Sequence, residues 1–154
     1  MGRSGDGFVT LPDGSRRWGR FGAAGILVRN VVPHGPPRYL VALRSPLCHH
    51  GGTWSIPGGA LDEGESPLAG ALREFEEEID RELADIAVAE VHEDDHGGWS
   101  YWTVVADVAE CFELPTSYGW ETTECRWVEA DELADLELFG AFRATLHRLG
   151  LLDP

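Results

Sequence analysis

Lysine is absent from this 154-residue chain: its 12 basic residues are all arginine, against 27 acidic ones, for a formal net charge of −15. So negative a field opposes nonspecific binding to nucleic acid polymers or anionic membranes, while a small anion arriving with a metal remains acceptable. Cysteine is scarce. Cys48, Cys111 and Cys125 are odd in number, widely spaced and without a CxxC pair, so they outline neither a disulfide framework nor a zinc site. A reducing cytoplasm suits them. No stretch reaches the roughly 18 apolar residues of a membrane-spanning helix, and the opening MGRSGDGFVT has no apolar signal core. A soluble, cytoplasmic protein is expected. What is present, 43% hydrophobic residues in a length usual for one domain, suffices for a single core.

The chain is organised around residues 58–81, GGALDEGESPLAGALREFEEEIDR. Ser66 followed by Pro67 reads as a helix start, because the hydroxyl can accept an orphan amide and proline at the first helical position loses no bond. At about 100° per residue, Glu74, Glu77 and Glu78 fall in one sector. Leu68, Leu72, Phe75 and Ile79 form the stripe that packs. The bland reading of such a run is a solvated, charged face. The alternative is a cation site, since carboxylates crowded on one turn repel each other unless neutralised, and hard oxygen ligands suit Mg²⁺ or Mn²⁺. Glycines just upstream would let backbone approach the same ion or a phosphate.

Gly59, five residues, Glu65, seven residues, then Arg73-Glu74-Phe75-Glu76-Glu77-Glu78 resembles the Nudix box, the signature of enzymes that hydrolyse nucleoside diphosphates linked to another group. Flanking segments agree: AAGILVRN resembles the family's first core strand, RYLVALRS its second and TWSIPGGA its run into the box. The chain departs from the pattern at Asp80 and Arg81, where the family has a glycine and an apolar residue. The resemblance implies a single α/β/α sandwich around a mixed sheet, with residues 20–154 as the Nudix domain; residues 1–19, rich in Gly, Arg and Ser with Pro12-Asp13-Gly14 as a turn signal, read as a flexible arm or edge hairpin. It also implies metal-dependent hydrolysis of a pyrophosphate linkage, with two or more Mg²⁺ ions and Mn²⁺ as a substitute. Carried over by position, Glu74 and Glu78 ligate metal with the Gly58 carbonyl, and Glu77 is a ligand or the general base. Arg73 orients a glutamate by ion pairing, and Glu65 is structural. A further carboxylate is expected on a downstream loop, Glu121 first and Glu124 second, and Arg44 is placed to meet a phosphate. The leading substrate is a nucleoside diphosphate derivative, with a purine nucleoside or deoxynucleoside triphosphate, oxidised or not, as its candidate. ADP-ribose or a nucleotide sugar is the enzymatic alternative, and a silent nucleotide sensor the non-enzymatic one, against which the intact glutamates argue. A homodimer is compatible with all of these.

Elsewhere the sequence predicts strands at residues 21–29, 39–44, 85–93, 99–109 and 122–128, a break at residues 33–37, a hairpin loop at residues 94–98 and an acidic turn at residues 129–132. Phe139, Phe142, Leu146 and Leu149 repeat at helical spacing before Gly150, giving a second helix that covers the sheet. The Cys48-His49-His50 loop is read as lining the pocket entrance. Trp99 and Tyr101, beside a glycine-rich loop, are the aromatics expected to stack on a base.

Overall fold

The computed structural model describes residues 2–48 and 50–153. A hairpin comes first, β1 (Phe8–Thr10) paired antiparallel with β2 (Arg16–Trp18). Its turn closes where the Asp13 carboxylate accepts both the amide and the hydroxyl of Ser15, at 2.9 and 2.6 Å. The segment expected to be an arm or a hairpin is therefore a hairpin over these residues.

The apolar run at residues 23–30 becomes β3 (Ala23–Asn30), seven of whose eight residues are buried. Such a strand needs cover on both faces. It lies at the centre of a seven-stranded sheet with β4 (Arg38–Arg44), β5 (Trp54–Ser55), β6 (Gly58–Ala60), β7 (Ala87–Asp95), β8 (Ser100–Val108) and β9 (Thr122–Glu129). The strand order is β5-β4-β3-β8-β7, with β6 on β3 and β9 on β4. β3 and β8 run parallel and the other pairs antiparallel, so the sheet is mixed.

Alternation along β3 sends Ala24, Ile26 and Val28 to one layer and Leu27 to the other. The first layer is closed by α1 (Pro67–Ile79) through Phe75 and Ile79, both fully buried. On the opposite layer lie α2 (Ala130–Asp135) and α3 (Gly140–Arg148), which contribute Leu133, Phe142 and Leu146. Helices on both faces of one sheet make the α/β/α sandwich. Truncating a fully buried ring such as Phe75 to alanine in a layer of this kind costs about 3–5 kcal/mol.

Two local expectations need correction. Residues 129–132 are not a simple turn but the start of α2, because Glu129 and Glu132 form a reciprocal capping box. Asp94 is not in a hairpin loop; β7 continues through Asp95, and Asp94 is buried against α3, accepting a hydrogen bond from Thr145 Oγ1 (2.7 Å) and pairing with Arg148. That partnership stabilises a carboxylate which burial alone would disfavour.

Candidate active site

Helix α1 is set by its ends. Ser66 Oγ accepts the Ala69 amide at 3.1 Å, with Pro67 in the first position, and Asp80 closes the helix in the left-handed region (φ 56°, ψ 42°) with its amide on the Glu76 carbonyl. The departure from the family pattern therefore falls on a residue that adopts the conformation glycine favours.

Arg73 fastens this helix to β6. Its guanidinium donates to both oxygens of Glu65 (2.9 Å each), to the Ala60 carbonyl (3.0 Å) and to Glu74 Oε1 (3.0 Å), and it lies 3.5 Å from Glu77. A planar fork with several donors can meet such divergent acceptors; an ammonium cannot. Hydrogen bonding from Arg73 holds the Glu65 carboxyl below its ordinary range, and Glu65 in turn accepts the Asp62 amide at 3.0 Å. The half-buried Glu74 experiences the opposite balance: burial and then the neighbouring Glu77 raise its pKa, against the pull of Arg73.

Glu78, one residue before the buried Ile79, accepts the Gly58 amide at 3.2 Å. Burial pushes its carboxyl up to about 8; the Gly58 amide and Arg44 oppose this, while Glu74 and Glu121 add to it. Glycine is required where the strands meet here. A Cβ on Gly59 would lie 2.5 Å from the Glu74 carboxyl carbon, and one on Gly58 would lie 2.7 Å from the Ala24 carbonyl oxygen.

Arg44, at the end of β4, lines one cavity together with Cys48, Gly58, Glu78 and Glu121, its guanidinium 5.3 Å from the Phe139 ring centre. Glu121 is brought there by its backbone: its carbonyl accepts the Ser45 amide (2.9 Å) and the Cys48 thiol (3.5 Å). Glu124 instead pairs with Arg126 at 3.0 Å along β9. Nothing in the sequence flagged Ser45 or Cys48 as the holders of Glu121, beyond their nearness to Arg44. His50 packs edge-on against Phe139 at 5.2 Å, and His49 lies outside the described residues.

Among the described residues, no three acidic, histidine or cysteine side chains converge into a closed metal cage. The geometry accounts for this: Arg73 draws Glu74 and Glu77 towards itself, and the Gly58 amide draws Glu78. Yet Glu74 and Glu121 both raise the pKa of Glu78, and Arg44 is the one cation that lowers it. Carboxylates that crowd one another in this way, with one cation opposing them, fit a divalent cation bound by oxygen donors.

The reading of Trp99 and Tyr101 as base-stacking residues is corrected. Trp99 is only 8% exposed, packed with Leu11 and Ala23 beneath the β1–β2 hairpin; its indole donates to the Gly19 carbonyl at 2.9 Å, and Arg17 lies 5.6 Å from the ring centre. Tyr101 packs on the same cluster and directs its hydroxyl to Gly25 and Gly58, where burial, and then Glu78, raises its pKa. The hairpin covers the face that strand alternation alone left open.

Sandwich, capped helix and glutamate cluster together define a class of hydrolase, and residues 20–149 match the model of the NUDIX domain. The chain belongs to the Nudix family and is a Nudix hydrolase. It is 43% identical over 151 residues to a Mycobacterium tuberculosis protein named putative 8-oxo-dGTP diphosphatase 3, covering 94% of this chain and 69% of that one. Over 142 residues it is 38% identical to a nucleoside triphosphate pyrophosphatase/Nudix hydrolase fusion protein of Bifidobacterium longum, covering 90% of this chain and 30% of the relative. Among solved structures, the Nudix hydrolase RenU from M. smegmatis superposes with a TM-score of 0.83 at 40% identity, over 94% of this chain and 92% of that one. A C. elegans Ap4A hydrolase shares the fold, with a TM-score of 0.65 at 18% identity over 83% of this chain and 95% of that one. No helix among the described residues is long and apolar enough to cross a membrane.

Proposed function

We propose that this hydrolase cleaves a pyrophosphate linkage of a purine nucleoside triphosphate, an oxidised deoxynucleotide foremost, with Mg²⁺ or Mn²⁺ as cofactor. The carrying observation is the cavity shared by Glu78 and Glu121 with Arg44, in which negative donors and one cation face the same space. Glu74, Glu78, Glu121 and the carbonyl of Gly58 would hold the metal. When bound, divalent ions neutralise phosphate charge and acidify water.

The chain's own residues divide the remaining work. Arg44 receives a phosphate oxygen. Arg73 fixes the rotamer of Glu74 without entering the cavity itself, which makes it a positioning residue. Glu77 is the most exposed of the three box glutamates on α1 and takes the proton of the attacking water as general base. Among the described residues no serine or cysteine stands in an activating context, which supports water rather than an enzyme nucleophile as the attacking group. The substrate preference is supported by the 43% identity to a protein named for 8-oxo-dGTP. A small nucleotide rather than a polymer suits the charge of −15.

The test is a panel of canonical and oxidised nucleoside triphosphates, ADP-ribose and nucleotide sugars, assayed with Mg²⁺ or Mn²⁺ for release of phosphate, pyrophosphate or monophosphate. Preferential turnover of a purine triphosphate is expected. Faster turnover of ADP-ribose or a nucleotide sugar would replace the substrate assignment, and absence of turnover throughout would refute the reading.

A further inference from the structure

Two loops border the cavity of Arg44, Glu78 and Glu121: residues 45–53 after β4 and residues 109–121 before β9. They are stitched at one point, where the Glu121 carbonyl accepts the Ser45 amide at 2.9 Å and the Cys48 thiol at 3.5 Å. Beside that stitch each loop leaves a large apolar side chain in water. Leu47 is 79% exposed and Trp120 is 66% exposed, the two most exposed large hydrophobic side chains among the described residues. Leu47 stands between Ser45 and Cys48 in sequence, and Trp120 immediately precedes Glu121.

Core formation does not account for them. The longer loop already turns Phe112 into the α1 layer and packs Leu114 and Tyr118 against it, leaving Trp120 outside. Its backbone is also anchored, because the neighbouring carbonyl of Glu121 accepts two hydrogen bonds. Leu47 and Trp120 do not line the cavity themselves, but each directly adjoins a residue that does, Cys48 and Glu121; an exposed indole so placed gains free energy when a flat ligand covers it, and every nucleobase offers such a face.

We propose that Trp120 and Leu47 form the base subsite, on which the nucleobase stacks while its phosphates extend past Arg44 toward Glu78. This inference rests on the functional reading above and assigns the base end that Trp99 and Tyr101 do not fill. Stacking on an indole supplies affinity for any base, and discrimination among bases falls to polar groups at its edge.

The experiment compares wild type, W120A, W120F and L47A, with dGTP as the nucleotide and inorganic tripolyphosphate as a base-free competitor. W120A should raise KM for dGTP about tenfold and leave kcat within about twofold. W120F should recover most of that loss, L47A should show a smaller rise, and the inhibition constant of tripolyphosphate should be the same in all four proteins. An unchanged KM in W120A overturns the proposal. So does a tripolyphosphate constant that rises in step with KM, which would mean that Trp120 acts only by holding Glu121. Should wild type turn over no nucleotide, tryptophan emission decides the matter. Quenching by dGTP that is lost in W120F supports the subsite while the hydrolytic reading fails, and no quenching in wild type overturns the subsite.

Discussion

Replacing Glu78 with glutamine removes a charge from the cluster while keeping its shape and an oxygen for the Gly58 amide. The Glu78 carboxyl ionises near 4.5 in an unfolded chain, and burial in the folded protein pushes it up to about 8. Because the folded pKa is raised, its contribution to stability is fully present below pH 4.5, declines as the pH rises, and is lost above about 8. Each pKa unit corresponds to about 1.4 kcal/mol, so the shift sets a ceiling of about 5 kcal/mol, of which relaxation and water entry leave about 2 kcal/mol to be measured. For a domain of this size that is about 4–8 °C in Tm. In chelator, Glu78→Gln should therefore melt higher than wild type at pH 8 and level with it at pH 4.5. Adding Mg²⁺ at pH 8 should raise the wild-type Tm and leave the variant nearly unmoved, since ligand binding stabilises only a fold that binds it. The assay is a set of thermal melts at pH 4.5, 6 and 8, with chelator or with Mg²⁺. A Tm difference between the two proteins that does not change with pH, or a variant that responds to Mg²⁺ as wild type does, would refute the reasoning.

Hydrolysis should stop in excess chelator, return with Mg²⁺ or Mn²⁺, and fall by orders of magnitude in Glu77→Gln and Glu78→Gln with the circular dichroism spectrum unchanged; full turnover under any of these conditions contradicts the metal assignment. Asp80→Gly, at the left-handed end of α1, should be neutral or stabilising by at most about 1 kcal/mol in denaturant melts, and a clear loss would show that the Asp side chain itself supports the helix end. Trp99→Phe removes the hydrogen bond to the Gly19 carbonyl and should cost about 1 kcal/mol of stability with KM for nucleotides unaltered, whereas a selective rise in KM would restore Trp99 to the binding site.

The box helix was legible because its signals are local: a Ser-Pro start, an apolar stripe and three glutamates whose facing follows from helical pitch alone. Glu121 and Arg44 were found through the family resemblance, and the structure places both on one cavity. What escaped depends on contacts far apart in sequence. Asp94 looks like a loop residue beside His96-Gly97-Gly98 until Thr145 and Arg148, more than fifty positions later, are seen to bury it. Trp99 shares a strand face with Tyr101, but which layer covers that face depends on the hairpin at residues 8–18, and strand alternation carries no such information. Helix α2 was missed because its capping box uses Glu129 where Ser or Thr is the usual signal.

By bonding the Ala60 carbonyl, Glu65 and Glu74 at once, Arg73 makes β6 and the middle of α1 behave as one part. The box glutamates thus sit on a fixed chassis, while the segments carrying Leu47 and Trp120 are stitched to each other at the Glu121 carbonyl. Such a division allows the outer segments to be exchanged for others without retooling the chemistry. A descendant of this chain could change which molecule it accepts while breaking the same bond.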